Sequence, residues 1–147
     1  LKGETKMKYS KLLVAYDGSG KSKEALEKAI DLVKQNKEIS LDIISVWYMP
    51  ISAYEVPIHE TLLETQEHIA KDNIGQAIEV TAGLENKVTA KSIQGYPSTS
   101  IIEYAADQNI DLIVIGSRGL GGFQKLILGS VSYHVVQKAS SDVLVVK

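Results

Sequence analysis

Two glycine-bearing stretches hold the residues whose types and spacing could do chemistry. One runs Asp17-Gly18-Ser19-Gly20-Lys21-Ser22. The other runs Gly116-Ser117-Arg118-Gly119, then nine residues, then Gly129-Ser130-Val131-Ser132. A glycine lets a ligand approach the main chain because no side chain intervenes. Gly129-Ser130 stands immediately before a predicted helix, whose unbonded N–H groups and positive dipole end form a site for an anion. Ser130 and Ser132 can add hydroxyl donors to phosphate oxygens, and Arg118 and Lys125 are close enough in sequence to add charge. The bland alternative for isolated glycines is a flexible loop and a helix start. Here spacing, a preceding strand and a following helix agree, which favours a polyanion held on backbone amides and hydroxyls.

Ala15 to Ser22 (AYDGSGKS) also satisfies a relaxed phosphate-loop pattern, with alanine in place of the first glycine. A true loop of that kind uses the first glycine for its turn and the lysine for the outer phosphates. It also needs an acidic residue ending another apolar strand to position magnesium. Asp111 precedes its strand instead, and Asp17 inside the cradle would repel phosphate. Lys21 and Ser22 therefore read as the first turn of a helix, and a phosphate-loop NTPase is set aside. His59, His68 and His134 are scattered. His68, four residues after Glu64, reads as one half of an exposed ion pair, and no HxH or HExxH pattern suggests a zinc enzyme. Ser98, Ser100 and Ser130 lack the GxSxG context of a hydrolase nucleophile. Trp47 and Tyr48, at the end of a strand, suit stacking on a base, core packing and dimer contact alike.

The elements that must position these residues follow from periodicity. Lys11 to Tyr16 is a nearly all-apolar strand entering a turn, followed by a helix with Leu26, Ala29, Ile30 and Val33 inside and Ser22 available as its N-cap. Leu41 to Trp47 is a second strand. Leu62, Leu63, Gln66, Ile69, Asn73, Ala77 and Ile78 trace the buried stripe of a second helix. Val88 to Gln94 is more polar and reads as an edge strand. Pro97 opens a third helix with Ile101, Ile102 and Ala105 inside. Leu112 to Ile115 is a fourth strand, Val131, Val135 and Ala139 mark a last helix, and Val143 to Lys147 closes the chain. This alternation argues an α/β fold, doubly wound, with a parallel sheet covered by helices on both faces. Ligands of such sheets bind beyond the carboxyl ends of the strands where the winding reverses. If the first and fourth strands are neighbours there, the two glycine-bearing turns share one crevice.

Whole-chain properties narrow the classes. The 147 residues suit one domain over 7–147, with residues 1–6 read as a disordered tail or expression remnant ahead of Met7. No apolar run approaches the ~20 residues of a membrane span, and Leu1 to Ser10 does not look like a secretory signal. The absence of cysteine removes disulfides and thiolate sites and fits the cytoplasm. A formal charge of −2 gives no general pull toward nucleic acid or anionic lipid, so a polyanion must be held by local geometry.

The chain resembles the universal stress protein family, from Tyr9 to Lys147. The resemblance rests on Gly116, Gly119, Gly129 and Ser130, which match the glycine–serine spacing of the family's ATP-binding branch. It rests also on Val14-Ala15-Tyr16-Asp17-Gly18-Ser19 and on Asp142-Val143-Leu144-Val145-Val146, which look like its first and last strands. It implies a five-stranded, adenine-nucleotide alpha-hydrolase-like fold with strand order 3-2-1-4-5. It implies that Ala15, Tyr16 and Asp17 border an adenosine, that Val46 offers backbone groups to the adenine edge, and that Ile115 and Gly116 lie against the nucleoside. Ser117, Arg118, Gly119, Gly122, Gly129, Ser130, Val131 and Ser132 would surround the phosphates. ATP is the implied ligand, with AMP or ADP as variants, and magnesium would come with the phosphates and not through protein ligands. Gly121-Gly122 departs from the pattern by making this loop unusually pliant. The resemblance also implies a homodimer through Val143 to Val146, which would satisfy an otherwise open sheet edge. The function it points to is regulatory nucleotide binding in a stress response. A slow ATPase, autophosphorylation on Ser130 or Ser132, and a nucleotide-independent scaffold are its rivals.

Overall fold

The computed structural model describes residues 9–48, 59–119 and 128–147. Across them strand and helix alternate: β1 (Lys11–Ala15), α1 (Gly20–Val33), β2 (Ser40–Trp47), α2 (His59–Thr81), β3 (Val88–Gln94), α3 (Pro97–Asp107), β4 (Leu112–Gly116), α4 (Ser130–Lys138) and β5 (Asp142–Val146). The strands form one sheet in the order β3-β2-β1-β4-β5, and each neighbouring pair is parallel. The strand order implied by the family resemblance and the edge position read for β3 both hold.

The apolar run of β1 reflects burial on two faces. Leu12, Val14 and Tyr16 pack with Leu26, Ala29 and Val33 of α1 and with Ile74 and Ala77 of α2. Leu13 faces the opposite way and joins Ile44, Ile113 and Ile115 under Ile101 and Ala105 of α3 and Val135 of α4. Period-two alternation thus splits one strand between two cores. The register matters for the site: β1 pairs with β2 up to Ala15 opposite Ile44, and with β4 up to Val14 opposite Val114. The winding therefore reverses between β1 and β4, and the turns after these strands leave the sheet side by side.

Three local readings are corrected. The N-cap of α1 is Ser19, not Ser22. The Asp17 carboxylate accepts from the Ser19 N–H at 2.9 Å. That closed turn leaves Ser19 extended, so the helix begins at Gly20. Ser22 is buried, and its hydroxyl donates to the Ser19 carbonyl at 2.9 Å. In α2 the buried face is Ala70, Asn73, Ile74, Ala77 and Thr81, while Ile69 and Ile78 are 45% and 52% exposed and Leu62 is exposed too. Asn73 and Ala77 of the expected stripe lie on this face, whereas its isoleucines do not, and Ala70, Ile74 and Thr81 complete it instead. His68 meets Asp72 at 3.4 Å, one turn ahead, and not Glu64.

Two buried polar groups fasten the connections. Asn86 Nδ2 donates to the carbonyls of Val33, Asn36 and Ile39 at 2.8–3.0 Å, closing the α1–β2 turn onto the segment before β3. Tyr104 of α3 donates its hydroxyl to Asp42, a buried carboxylate on β2, at 2.7 Å. Burial raises the Tyr104 phenol well above its usual value, and the bond and the negative charge of Asp42 add to the rise. A folded pKa above the unfolded value of about 10 gives stability that is complete below pH 10 and declines as pH climbs beyond it. Tyr104→Phe is expected to cost about 2 kcal/mol near neutrality by stripping Asp42 of its donor. Its stability should then fall less steeply than that of the parent chain above pH 10. Urea midpoints from pH 7 to 11 measure both; parallel slopes would contradict the assignment.

Candidate functional site

The loops after β1 and β4 touch. A Cβ added to Gly119 would lie 2.7 Å from Asp17 Oδ2, so the two turns meet with no room for a side chain between them. Gly116, the last residue of β4, lies against the first turn of α1. A Cβ there would be 2.8 Å from the Lys21 carbonyl carbon and 2.9 Å from its oxygen. Gly18 has φ +81°, a conformation open to glycine, and carries the turn that aims Asp17. Lys21 lies in the first turn of α1 with its amine 2.9 Å from Glu24. Asp111 sits at the opposite end of β4, where it accepts from the N–H groups of Ser10 and Lys11.

Beside these turns opens a cleft of about 480 Å³, within the range of small-molecule sites. The expected residues Ala15, Tyr16, Asp17, Val46, Ile115 and Gly116 line one part of it. Arg118, Gly119, Gly129, Ser130, Val131 and Ser132 line the other. Ser117, expected beside the phosphates, is buried and is not part of the wall. Gly121, Gly122 and Lys125 lie outside the described residues. Sequence reasoning missed Ser19, Ser22, Ile44, Pro97 and Ile101, which also line the cleft. Ile44 could have been found as the residue two before Val46 on the same strand face. Pro97 and Ile101 are one helical turn apart, but only the sheet order reveals that α3 overhangs β1 and β2. Trp47 and Tyr48 are not part of the wall. Tyr48 packs edge-to-face on Tyr96 with ring centres 5.2 Å apart.

The cleft has two chemically distinct ends. One is apolar, walled by Ile44, Val46, Pro97, Ile101 and Ile115. Tyr16 N–H donates to the Ile44 carbonyl at 2.8 Å, the last bond from β1 to β2, while the Trp47 carbonyl faces β3 and accepts from Gly95. By strand alternation the N–H and C=O of Val46 point back toward β1, beyond the point where β1 has left the sheet. They leave one donor and one acceptor side by side at the cleft. The other end is the N-terminus of α4. Gly129 is its N-cap, with no side-chain cap, so the first-turn N–H groups of Ser130, Val131 and Ser132 have no helical acceptor.

Two details of the anion end differ from expectation. The Gly129 N–H is not available to a ligand, because it donates to the Ser117 carbonyl at 2.6 Å. Ser132 is buried, and its hydroxyl proton goes to the carbonyls of Ser117 (2.8 Å) and Gly129 (3.1 Å). Ser130 is thus the exposed hydroxyl at the helix end, and Ser132 holds the loop's shape. The Ser117 N–H in turn donates to Val146 at 2.8 Å, tying the loop to β5. Tyr16 donates its hydroxyl to Gln76 at 3.1 Å, and burial, then the nearby Asp17 charge, raise its pKa and keep it a neutral donor.

A doubly wound parallel sheet with a cleft at its reversal, apolar at one end and lined by helix-end amides at the other, defines a small α/β protein with a ligand cleft at its switch point. The chain belongs to the universal stress protein family: residues 8–147 match the family's sequence model. It is 30% identical over 153 residues to the universal stress protein YxiE of Bacillus subtilis, covering 95% of this chain and 99% of that protein. Among solved structures it resembles the universal stress protein UspA from Lactobacillus plantarum, with a TM-score of 0.85 and 25% identity over 97% of this chain and all of that one. A universal stress protein family protein from Arabidopsis thaliana with AMP bound shares the fold, at a TM-score of 0.70 and 19% identity over 94% and 91% of the two chains.

The glycines are not equivalent. Gly116→Ala should destabilise by about 2 kcal/mol, since its methyl would meet helix backbone that cannot rotate away. Gly129→Ala should stay within about 1 kcal/mol of the parent, because its nearest contacts are 3.4–3.8 Å away at φ −71°. Equal losses in chemical denaturation would contradict this packing.

Proposed function

We propose that this chain binds one adenine nucleotide per subunit, ATP in the first place and AMP or ADP by the same contacts, and acts as a regulatory protein of a stress response. The observation that carries the reading is the pairing of the Val46 donor–acceptor edge with the helix-end amides of α4 in one cleft. Adenine offers a ring nitrogen that accepts and an amino group that donates, which complements a single residue's N–H and C=O. The apolar walls would take the base faces, Asp17 and Ser19 would border the ribose, and Ser130 with the α4 amides would receive phosphate oxygens. Arg118 and Gly119 complete the phosphate side. Magnesium would be held by phosphate oxygens and water, as is usual for that ion. The relative with AMP bound supports an adenine ligand in this fold. Regulation, and not turnover, is proposed because, among the described residues, the cleft wall has Asp17 at the nucleoside end and neither a second carboxylate nor an imidazole to activate water.

We extend the proposal to assembly and location. Among the described residues β5 is an edge strand with one side unpaired, and Tyr133 and Val136 on the adjoining α4 are 54% and 44% exposed. Pairing of Val143 to Val146 with a second copy would cover both. Among the described residues no helix is long and apolar enough to cross a membrane, and the chain lacks cysteine, in keeping with work in the cytoplasm.

Calorimetric titration with ATP, with and without magnesium, on protein shown by mass spectrometry to carry no nucleotide, is expected to give one saturable site per chain. Gly129→Trp should abolish it by filling the space over the helix end. No binding by empty, folded protein, or full affinity in that variant, would sink the assignment. Product formation under single-turnover conditions would move the protein to the enzyme class.

A further inference from the structure

Asn73 is a polar residue in the buried face of α2, 8% exposed, and it lies outside the cleft wall. Its placement is unusual in what it touches. Its Oδ1 occupies the space beside Gly18, where an added Cβ would come within 2.7 Å. Its Nδ2 donates to Ser45 Oγ at a long 3.4 Å. Gly18 follows Asp17 and forms the positive-φ turn that aims that carboxylate. Ser45 precedes Val46, whose main-chain edge faces the cleft. One amide therefore contacts the neighbours of both residues assigned to the nucleoside. A second brace lies one turn away on the same side: Gln76, exposed on α2, accepts the Tyr16 hydroxyl at 3.1 Å, immediately before Asp17.

We infer that Asn73, with Gln76 as its outer support, is a positioning residue that sets the spacing between the Asp17 turn and the Val46 edge, and so determines affinity for the nucleoside half of the ligand. The inference rests on the nucleotide reading above and deepens it. The physical ground is preorganisation: a site binds tightly when the groups holding it are themselves locked by packing and hydrogen bonds. The α4 helix end is held by bonds among Ser117, Gly129 and Ser132 in which α2 takes no part. The two ends should therefore respond separately to substitution.

The test compares adenosine with ATP. Asn73→Ala is expected to weaken both by the same factor, about five- to tenfold, the range of one lost hydrogen bond in a well-ordered site. The ratio of the two affinities, which reports the phosphates, should stay within twofold of the parent's. Gln76→Ala, an exposed change that leaves the core intact, should show the same pattern at about two- to threefold, and decides the matter if Asn73→Ala does not fold. Ile74→Val, in the same buried face, is the control for mere loosening of α2 and should leave both affinities within twofold. Unchanged adenosine affinity in the Asn73 and Gln76 variants overturns the inference. So does a larger loss for ATP than for adenosine, or an equal loss in the Ile74 variant. If the parent chain itself binds neither ligand, the nucleotide reading fails first and this inference falls with it.

Discussion

The site depends on the contact between the end of β4 and the first turn of α1. There a strand running into its loop passes within van der Waals range of the Lys21 backbone, and only the absence of a side chain at Gly116 permits it. That closeness lets the loops after β1 and β4 share a boundary at Asp17 and Gly119. It also brings the two halves of a parallel sheet, wound in opposite senses, to open on a common cleft. Any outward displacement of β4 would separate the Asp17 turn from the α4 helix end, and with it the two ends of a ligand.

An anion in the proposed site would be held without a basic surface. The chain's formal charge is −2, so long-range attraction gives little, and binding must come from short-range, oriented dipoles. The α4 terminus provides them, and the Ser117 carbonyl fixes their direction by accepting from both the Gly129 N–H and the Ser132 hydroxyl. Two groups that could have faced a ligand are used to build the loop instead. A site that keeps some of its polar groups for itself can hold the remaining amides in place before a ligand arrives, which lowers the ordering cost of binding.

Much of this was legible in the residues. Continuous apolar strands specify a sheet buried on both faces, and the glycine–serine spacing after the fourth strand marks a helix-end anion site whose glycines and exposed serine lie on the cleft. The α2 face was read in part: Asn73 and Ala77 are buried as expected, but tertiary packing, and not residue size, put Ala70 and Ile74 beside them and turned Ile69 and Ile78 outward. The role of Ser132 was misread for a related reason. A hydroxyl next to an anion site looks like a ligand in sequence, and only its distance to two carbonyls shows it bonded elsewhere. Pro97 and Ile101 were invisible as wall residues, because nothing local says what a helix overhangs.

The sequence by itself determined the order and kind of the elements, the two glycine turns and the chemistry each could do, since these follow from periodicity, backbone freedom and side-chain type along a single segment. Tertiary structure alone decided which N–H groups remain open, which hydroxyls are consumed, and how an amide on α2 comes to touch both Gly18 and the neighbour of Val46. The physical reason is that hydrogen bonds and excluded volume act across space, between residues 15 to 60 positions apart in the chain, and no local pattern encodes a partner at that distance.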